Sequence, residues 1–269
     1  DAAGVVVAVG ANVTRFKPGD RVLAQVRWGA YAERLAAPEA RCFKVPDDIE
    51  FVVAAAMGTV FPTVHVSLMN RANYRAGESV LVNGAAGGIG LAAVQIAKAK
   101  GATVIAGDIS DDKRELATSY GADHTIDIMA DDLRESLRQQ VFAVTDGRGV
   151  DICLDPIGGD VFDASLRALD FEGRIITIGY VSGRIPEAKA NYFNVKNLSL
   201  AGIALDLYLQ KQPEIVHAAM DDLFEMNRAG KVVPEVTATY LLEDFKEVMA
   251  MFGARTAMGK MVLKTAAGN

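Results

Sequence analysis

The chain's 269 residues, 51% apolar and 23% charged, suffice for a sizeable core in two modest domains or one large one. The net charge of −6 argues against a nucleic-acid or anionic-membrane partner. No apolar run reaches the ~18 residues a membrane helix needs. Cys42 and Cys153 are the only cysteines and suggest no disulfide framework. The chain opens on Asp1 without a charged-then-apolar leader, which reads as the C-terminal part of a longer cytoplasmic protein.

Residues 4–10 are predicted as a strand between glycines, 17–20 as a turn on Pro18 and Gly19, and 21–26 and 29–35 as further strands. Strands this short fit a small all-β domain, closed by Pro46-Asp47-Asp48. Residues 49–56 are alanine-rich and predicted helical. Residues 59–70 form a second helix, with Pro62 in the first turn and Thr63, Val64 and Leu68 facing inward.

The stretch from Ser79 to Asp108, SVLVNGAAGGIGLAAVQIAKAKGATVIAGD, carries the strongest signal. An apolar strand runs into Gly84-Ala85-Ala86-Gly87-Gly88-Ile89-Gly90, then a helix to Lys100, a stop at Gly101 and a second strand ending on Asp108. Strand, glycine turn, helix, strand and acid is the order of a dinucleotide-binding βαβ unit. Gly87 and Gly90 let the backbone turn tightly and approach a pyrophosphate, and the helix N-terminus offers N–H groups and a positive dipole end. Asp108, 18 residues past the last glycine, suits an adenine ribose diol. Ala85 stands where the first glycine of G-x-G-x-x-G is usual.

Beyond it, a helix over 111–120 has Ser110 as its N-cap and Gly121 as its stop. A strand at 124–126, a helix at 130–144 and a strand at 150–154 follow, and Gly158-Gly159 leads into a helix through Leu169. Strands at 174–178 and 198–205, a helix at 213–229, a short helix at 241–252 and a strand at 260–264 complete the chain. Alternating strands and helices predict a parallel, doubly wound α/β sheet.

The glycine block, with DAAGVVVAVG, FKPGDRV, GAYAERLAAPEA, VPDDI, GADHTID, VDICLDPIGG, GRIITIGYVSG and AMGKMVLK in order, resembles the quinone oxidoreductase branch of the medium-chain dehydrogenase/reductase superfamily over essentially the whole chain. The resemblance implies a partial GroES-like β-barrel substrate domain over 1–56, a Rossmann domain over 57–231 and a segment at 232–269 returning to the substrate domain. It implies an N-terminally truncated chain, NAD(P)H as cofactor, and a homodimer formed through the last strand of the Rossmann sheet. It places Thr63 near the nicotinamide, while Pro156, Gly179 and Tyr180 follow the carboxyl ends of two predicted strands, where ligands bind. Tyr180 reads equally as a half-exposed loop aromatic, and residues 191–193 either cap the substrate cleft or pack between domains. No residue is assigned a catalytic role.

In zinc-dependent relatives a cysteine occupies the position of Thr59, and the acid of a His-Glu pair matches Asp1. The four-cysteine lobe is absent, and His65, His124 and His217 show no ligand spacing, so a metal-free enzyme is expected. His124 and His217 read as ordinary surface or core positions, whereas His65 beside Thr63 is a candidate for the cofactor cleft. Without zinc to lower an alcohol's pKa, a quinone or α,β-unsaturated carbonyl is the better acceptor. Enoyl-thioester reduction and non-catalytic cofactor binding are the alternatives. The branch mostly uses NADPH, held by a small polar residue, a lysine and a tyrosine. Ser110 and Lys113 are kept here, but Asp108 stands at the small-residue position and Asp127-Ile128 at the usual Asn-Tyr pair, which leans to NADH.

Overall fold

The computed structural model describes residues 1–253 and 259–265. In chain order the elements begin β1 (Ala2–Val5), β2 (Arg21–Ala24), β3 (Cys42–Lys44), α1 (Phe51–Met57) and α2 (Val60–Val66), which a π-helical turn at Ser67–Arg71 prolongs. Then come β4 (Ser79–Asn83), α3 (Gly88–Ala99), β5 (Thr103–Asp108), α4 (Asp111–Ser119), β6 (His124–Asp127), α5 (Leu133–Val144), β7 (Val150–Asp155), α6 (Gly159–Ala168) and β8 (Leu169–Thr177). The last are α7 (Ala190–Lys196), β9 (Ser199–Gly202), α8 (Leu205–Lys211), α9 (Pro213–Arg228), β10 (Val236–Leu241), α10 (Phe245–Gly253) and β11 (Lys260–Lys264). Two compact units result: 63–204, and 1–62 together with 205–269.

The first unit, 63–204, is a six-stranded parallel sheet in the order β6-β5-β4-β7-β8-β9. Its central strands are continuous apolar runs because both faces are covered. Val80, Leu81, Val82, Val104, Ile105, Ile152 and Leu154 are all fully buried. On α3, Leu91, Val94 and Ile96 are buried. Val80 pairs with Val104 and Ile152, and Val82 with Ala106 and Leu154, so β4, β5 and β7 end side by side. Ligand sites in such sheets form beyond these carboxyl ends.

The second unit holds an antiparallel sheet in the order β1-β2-β3 and a parallel pair β10-β11. The turn on Pro18 and Gly19 forms as expected, with Asp20 N–H on the Lys17 carbonyl at 3.1 Å and Lys17 N–H on the Asp20 carboxylate at 2.9 Å. The strand expected over 29–35 is absent: these residues make bends, and the place beside β2 is taken by β3. Gly29 has φ +87, unsuited to an extended run. The strand expected over 4–10 ends at Val5. The one expected over 198–205 stops at Gly202, and Leu205 already starts α8. Met258 and Ala257, quoted in the last motif, lie outside the described residues. Among the described residues no single helix is long and apolar enough to cross a membrane.

Candidate cofactor site

The glycine turn sits between β4 and α3. Gly87 is the N-cap of α3 and offers no capping side chain, so the first N–H groups of a 12-residue helix face outward. Gly87 and Gly88 are exposed, and Ala86 and Ile89 half-buried, while Ala85 and Gly90 are buried. The two key glycines differ. A Cβ on Gly90 would stand 2.1 Å from the Gly84 carbonyl oxygen and 2.5 Å from Ala85 Cα; on Gly87 it would meet only the Gly84 oxygen, at 3.3 Å. Gly90 therefore lets α3 close onto its own turn, and Gly87 leaves the outer face open. An uncapped helix N-terminus with bare backbone fits a pyrophosphate.

Asp108 buttresses this turn. The residue is 4% exposed; Oδ2 accepts the Ala86 N–H at 2.8 Å and Oδ1 the Ile109 N–H at 2.8 Å. Lys113, half exposed, places Nζ 3.9 Å from Oδ1. Arg114 is committed elsewhere: it donates to the Asp108 carbonyl at 2.9 Å, pairs with Asp111, and lies 3.5 Å from Asp127. Ser110 occupies the N-cap of α4 as expected, although its side chain makes no capping bond. Its carbonyl takes the Arg114 N–H at 3.0 Å instead, as the first helical bond.

A second cluster lies beyond β7 and β8. Val181 N–H donates to the Pro156 carbonyl at 3.2 Å, Ser182 N–H to Ile157 at 3.0 Å, and Gly159 N–H to Arg184 at 3.1 Å. A Cβ on Gly179 would lie 3.2 Å from the Pro156 oxygen, so the two turns approach closely. Tyr180 is 44% exposed, with its ring edge where a Gly158 side chain would go. Thr63 is half-buried on α2, and its carbonyl accepts the Ser67 hydroxyl at 2.7 Å. His65 is buried on the same helix. Phe193 of α7 packs on the core of the parallel sheet, and Tyr192 takes a bond from Arg134 at 2.6 Å.

Asn83 is the residue that sequence reasoning passed over. The signal was one amide closing an otherwise apolar strand, immediately before the first glycine. It is fully buried and donates to Asp155, also fully buried, at 3.1 Å.

In the unit holding the three-stranded sheet, Asp1 accepts both from Thr59: the N–H at 2.8 Å and the hydroxyl at 2.9 Å. Gly58 makes room, since a Cβ there would fall 2.1 Å from Asp1 Oδ2. Among the described residues no group of three or more His, Cys, Asp and Glu is arranged to hold a metal. His217 stacks 4.6 Å from Phe43 and bonds the Ala40 carbonyl at 3.0 Å; burial, and then Arg15, push its pKa down.

This combination defines a nucleotide-binding dehydrogenase fold, and the comparisons agree. The family model for zinc-binding dehydrogenases matches residues 88–223, and that for the alcohol dehydrogenase GroES-like domain matches 1–47. A quinone oxidoreductase-like protein 2 homolog from Nematostella vectensis is 33% identical over 98% of this chain and 72% of its own. The crystal structure of Escherichia coli quinone oxidoreductase complexed with NADPH matches with TM-score 0.83 and 28% identity, over 97% of this chain and 80% of that one. A 2-haloacrylate reductase structure matches with TM-score 0.88 and 30% identity, over 97% and 81%. The chain belongs to the medium-chain dehydrogenase/reductase superfamily, in its quinone oxidoreductase branch. It is an NAD(P)H-dependent oxidoreductase.

Proposed function

We propose that the chain reduces a quinone or an α,β-unsaturated carbonyl with NADH in preference to NADPH, without a metal, as a homodimer. The observation that carries the cofactor reading is the uncapped N-terminus of α3 at Gly87, braced from beneath by Asp108. When bound, the nicotinamide supplies the hydride. Backbone N–H groups of Gly88 and Ile89 are suited to hold the pyrophosphate, and the Asp108 carboxylate a ribose diol. A 2′-phosphate there would face Asp108, at roughly 4 kcal/mol per charge pair for ~4 Å and an effective dielectric near ~20. Lys113 offsets part of this, and solvent screens both. Arg114, held by Asp111 and Asp127, is not available to help.

Metal independence is supported by the Asp1–Thr59 pair, which join each other instead of offering two ligands. Elemental analysis is expected to find less than stoichiometric zinc, with activity unchanged by chelator. The dimer reading is supported by β9, an edge strand with Leu200 43% exposed. Light scattering showing a monomer at micromolar concentration would count against it. The deciding experiment is oxidation of NADH and NADPH by a panel of quinones and enones, using the full-length protein. Tight cofactor binding with no acceptor reduced would leave only a non-catalytic binder, and a strong NADPH preference would reverse the reading of Asp108.

A further inference from the structure

Asp155 ends β7 and is sealed from solvent. Its Oδ1 accepts the Asn83 amide at 3.1 Å and the Ile157 N–H at 3.2 Å, and its Oδ2 accepts the Gly158 N–H at 3.0 Å. The same Asn83 amide nitrogen reaches the Ser165 hydroxyl of α6 at 3.0 Å and Cys153 Sγ at 3.6 Å. Asn83 Oδ1 is buried without a hydrogen-bond partner. No cation is paired with Asp155 among the described residues. A buried carboxylate and a half-satisfied amide are expensive to keep, and apolar residues of the same size are often at least as stable. Stability alone does not explain the pair.

Its position does. Asn83 precedes Gly84, and Asp155 precedes Pro156, so each closes one of the two adjoining strands from which the cofactor-facing turns leave. The turns also touch: a Cβ on Gly84 would lie 3.2 Å from Ile157 Cδ1. Gly84, at φ +63, adopts a conformation that ordinary side chains rarely take.

We propose that Asn83 and Asp155 are positioning residues that lock the turn 84–87 to the turn 156–159, so that both meet the cofactor as one surface. Neither side chain touches the cofactor; Asp155 acts through the Ile157 and Gly158 N–H groups, and Asn83 through the start of the glycine turn. The proposal rests on the cofactor reading of those turns.

The test measures NADH and NADPH dissociation constants for the full-length protein and its variants. Asp155→Asn puts an amide donor among groups that are already donors. It is expected to weaken binding of both cofactors by at least tenfold, with circular dichroism retained and the KM for the quinone within about twofold. The swapped pair Asn83→Asp with Asp155→Asn restores a bridge of reversed polarity and is expected to return affinity to within about threefold of wild type. Loss of affinity for both cofactors with circular dichroism and the quinone KM retained is the readout that a merely structural role would not give. Unchanged affinity in Asp155→Asn overturns the proposal, as does a swapped pair that folds but stays tenfold weak. If the single variant does not fold, the swapped pair decides alone. Gly87→Val separates the two levels: if it too leaves affinity unchanged, the cofactor site has been misplaced; if it abolishes binding while Asp155→Asn does not alter it, only the bridge is wrong.

Discussion

At the end of β5, Asp108 gives its two oxygens to the N–H groups of Ala86 and Ile109; at the end of β7, Asp155 gives its own to Ile157 and Gly158, and to Asn83. Both acids brace a turn that faces the same end of the sheet. They differ in electrical company. Asp108 has Lys113 3.9 Å away at the surface, whereas the charged neighbour felt by Asp155 is another acid, Asp163. Both are buried, Asp108 at 4% and Asp155 at 0% exposure, so what separates them is the cation beside the first. The same residue type at equivalent strand ends thus separates into a brace with a cation beside it and one without.

The largest expected effect is on the turn that Asp108 braces. Gly90→Ala drives Cβ into backbone atoms of Gly84 and Ala85, which no rotamer change relieves. A loss of about 3 kcal/mol or more, at the upper end for overpacking, is expected in thermal or denaturant unfolding. Wild-type stability would mean that α3 does not close on its turn in this way.

Gly87→Val, three residues earlier, should do the opposite. Gly87 has φ −74, and a Cβ there meets one oxygen at 3.3 Å, so the fold is expected to survive. The branched side chain covers the open N-terminus of α3. Calorimetry is expected to register at least a hundredfold loss of NAD(P)H affinity beside an unchanged circular dichroism spectrum.

Asp108→Ser is smaller and mixed. It removes the acceptor from the half-buried Ala86 N–H, worth about 1 kcal/mol of stability, and takes a negative charge from beside the ribose position. The ratio of kcat/KM values is expected to move toward NADPH by about tenfold, equivalent to ~1.4 kcal/mol. A stability loss without a change in preference would make Asp108 a brace and nothing more.

The parallel unit was largely legible in the chain because its signals are local. Val80 to Val82 and Val104 to Ala106 are apolar without alternation, as strands covered on both faces must be, and glycines mark the turns. The antiparallel unit was less so. Residues 29–35 hold one aromatic, Tyr31, and no β-branched residue, so their strand signal was weak, and β2 pairs with Cys42–Lys44 instead. At the candidate site, the glycine turn with Gly87 and Gly90, and Asp108 at the end of β5, could be placed from spacing. The Asn83–Asp155 bridge could not, because 72 residues separate its members and only the side-by-side ending of β4 and β7 joins them. The cap at Ser110 was legible from residue type and position, and the structure adds only that the hydroxyl makes no bond to the helix.

The smallest effect sharpens the contrast between the acids through pH. Burial, opposed by the bonds from Asn83, Ile157 and Gly158, holds the Asp155 pKa above its usual 3.8. The folded state therefore binds the proton more tightly than the unfolded chain. The stability this contributes is fully present below the unfolded pKa and is lost as pH rises through the folded value. The stability of wild type minus that of Asp155→Asn should therefore fall as pH is raised from about 4, then level off once Asp155 is ionised. Cys153 does not disturb the comparison, since burial pushes its thiol well up and keeps it neutral across this range. If the difference instead rises with pH, the three N–H donors outweigh burial and Asp155 is held as an anion. The contrast with Asp108 would then lie only in the cation at its side.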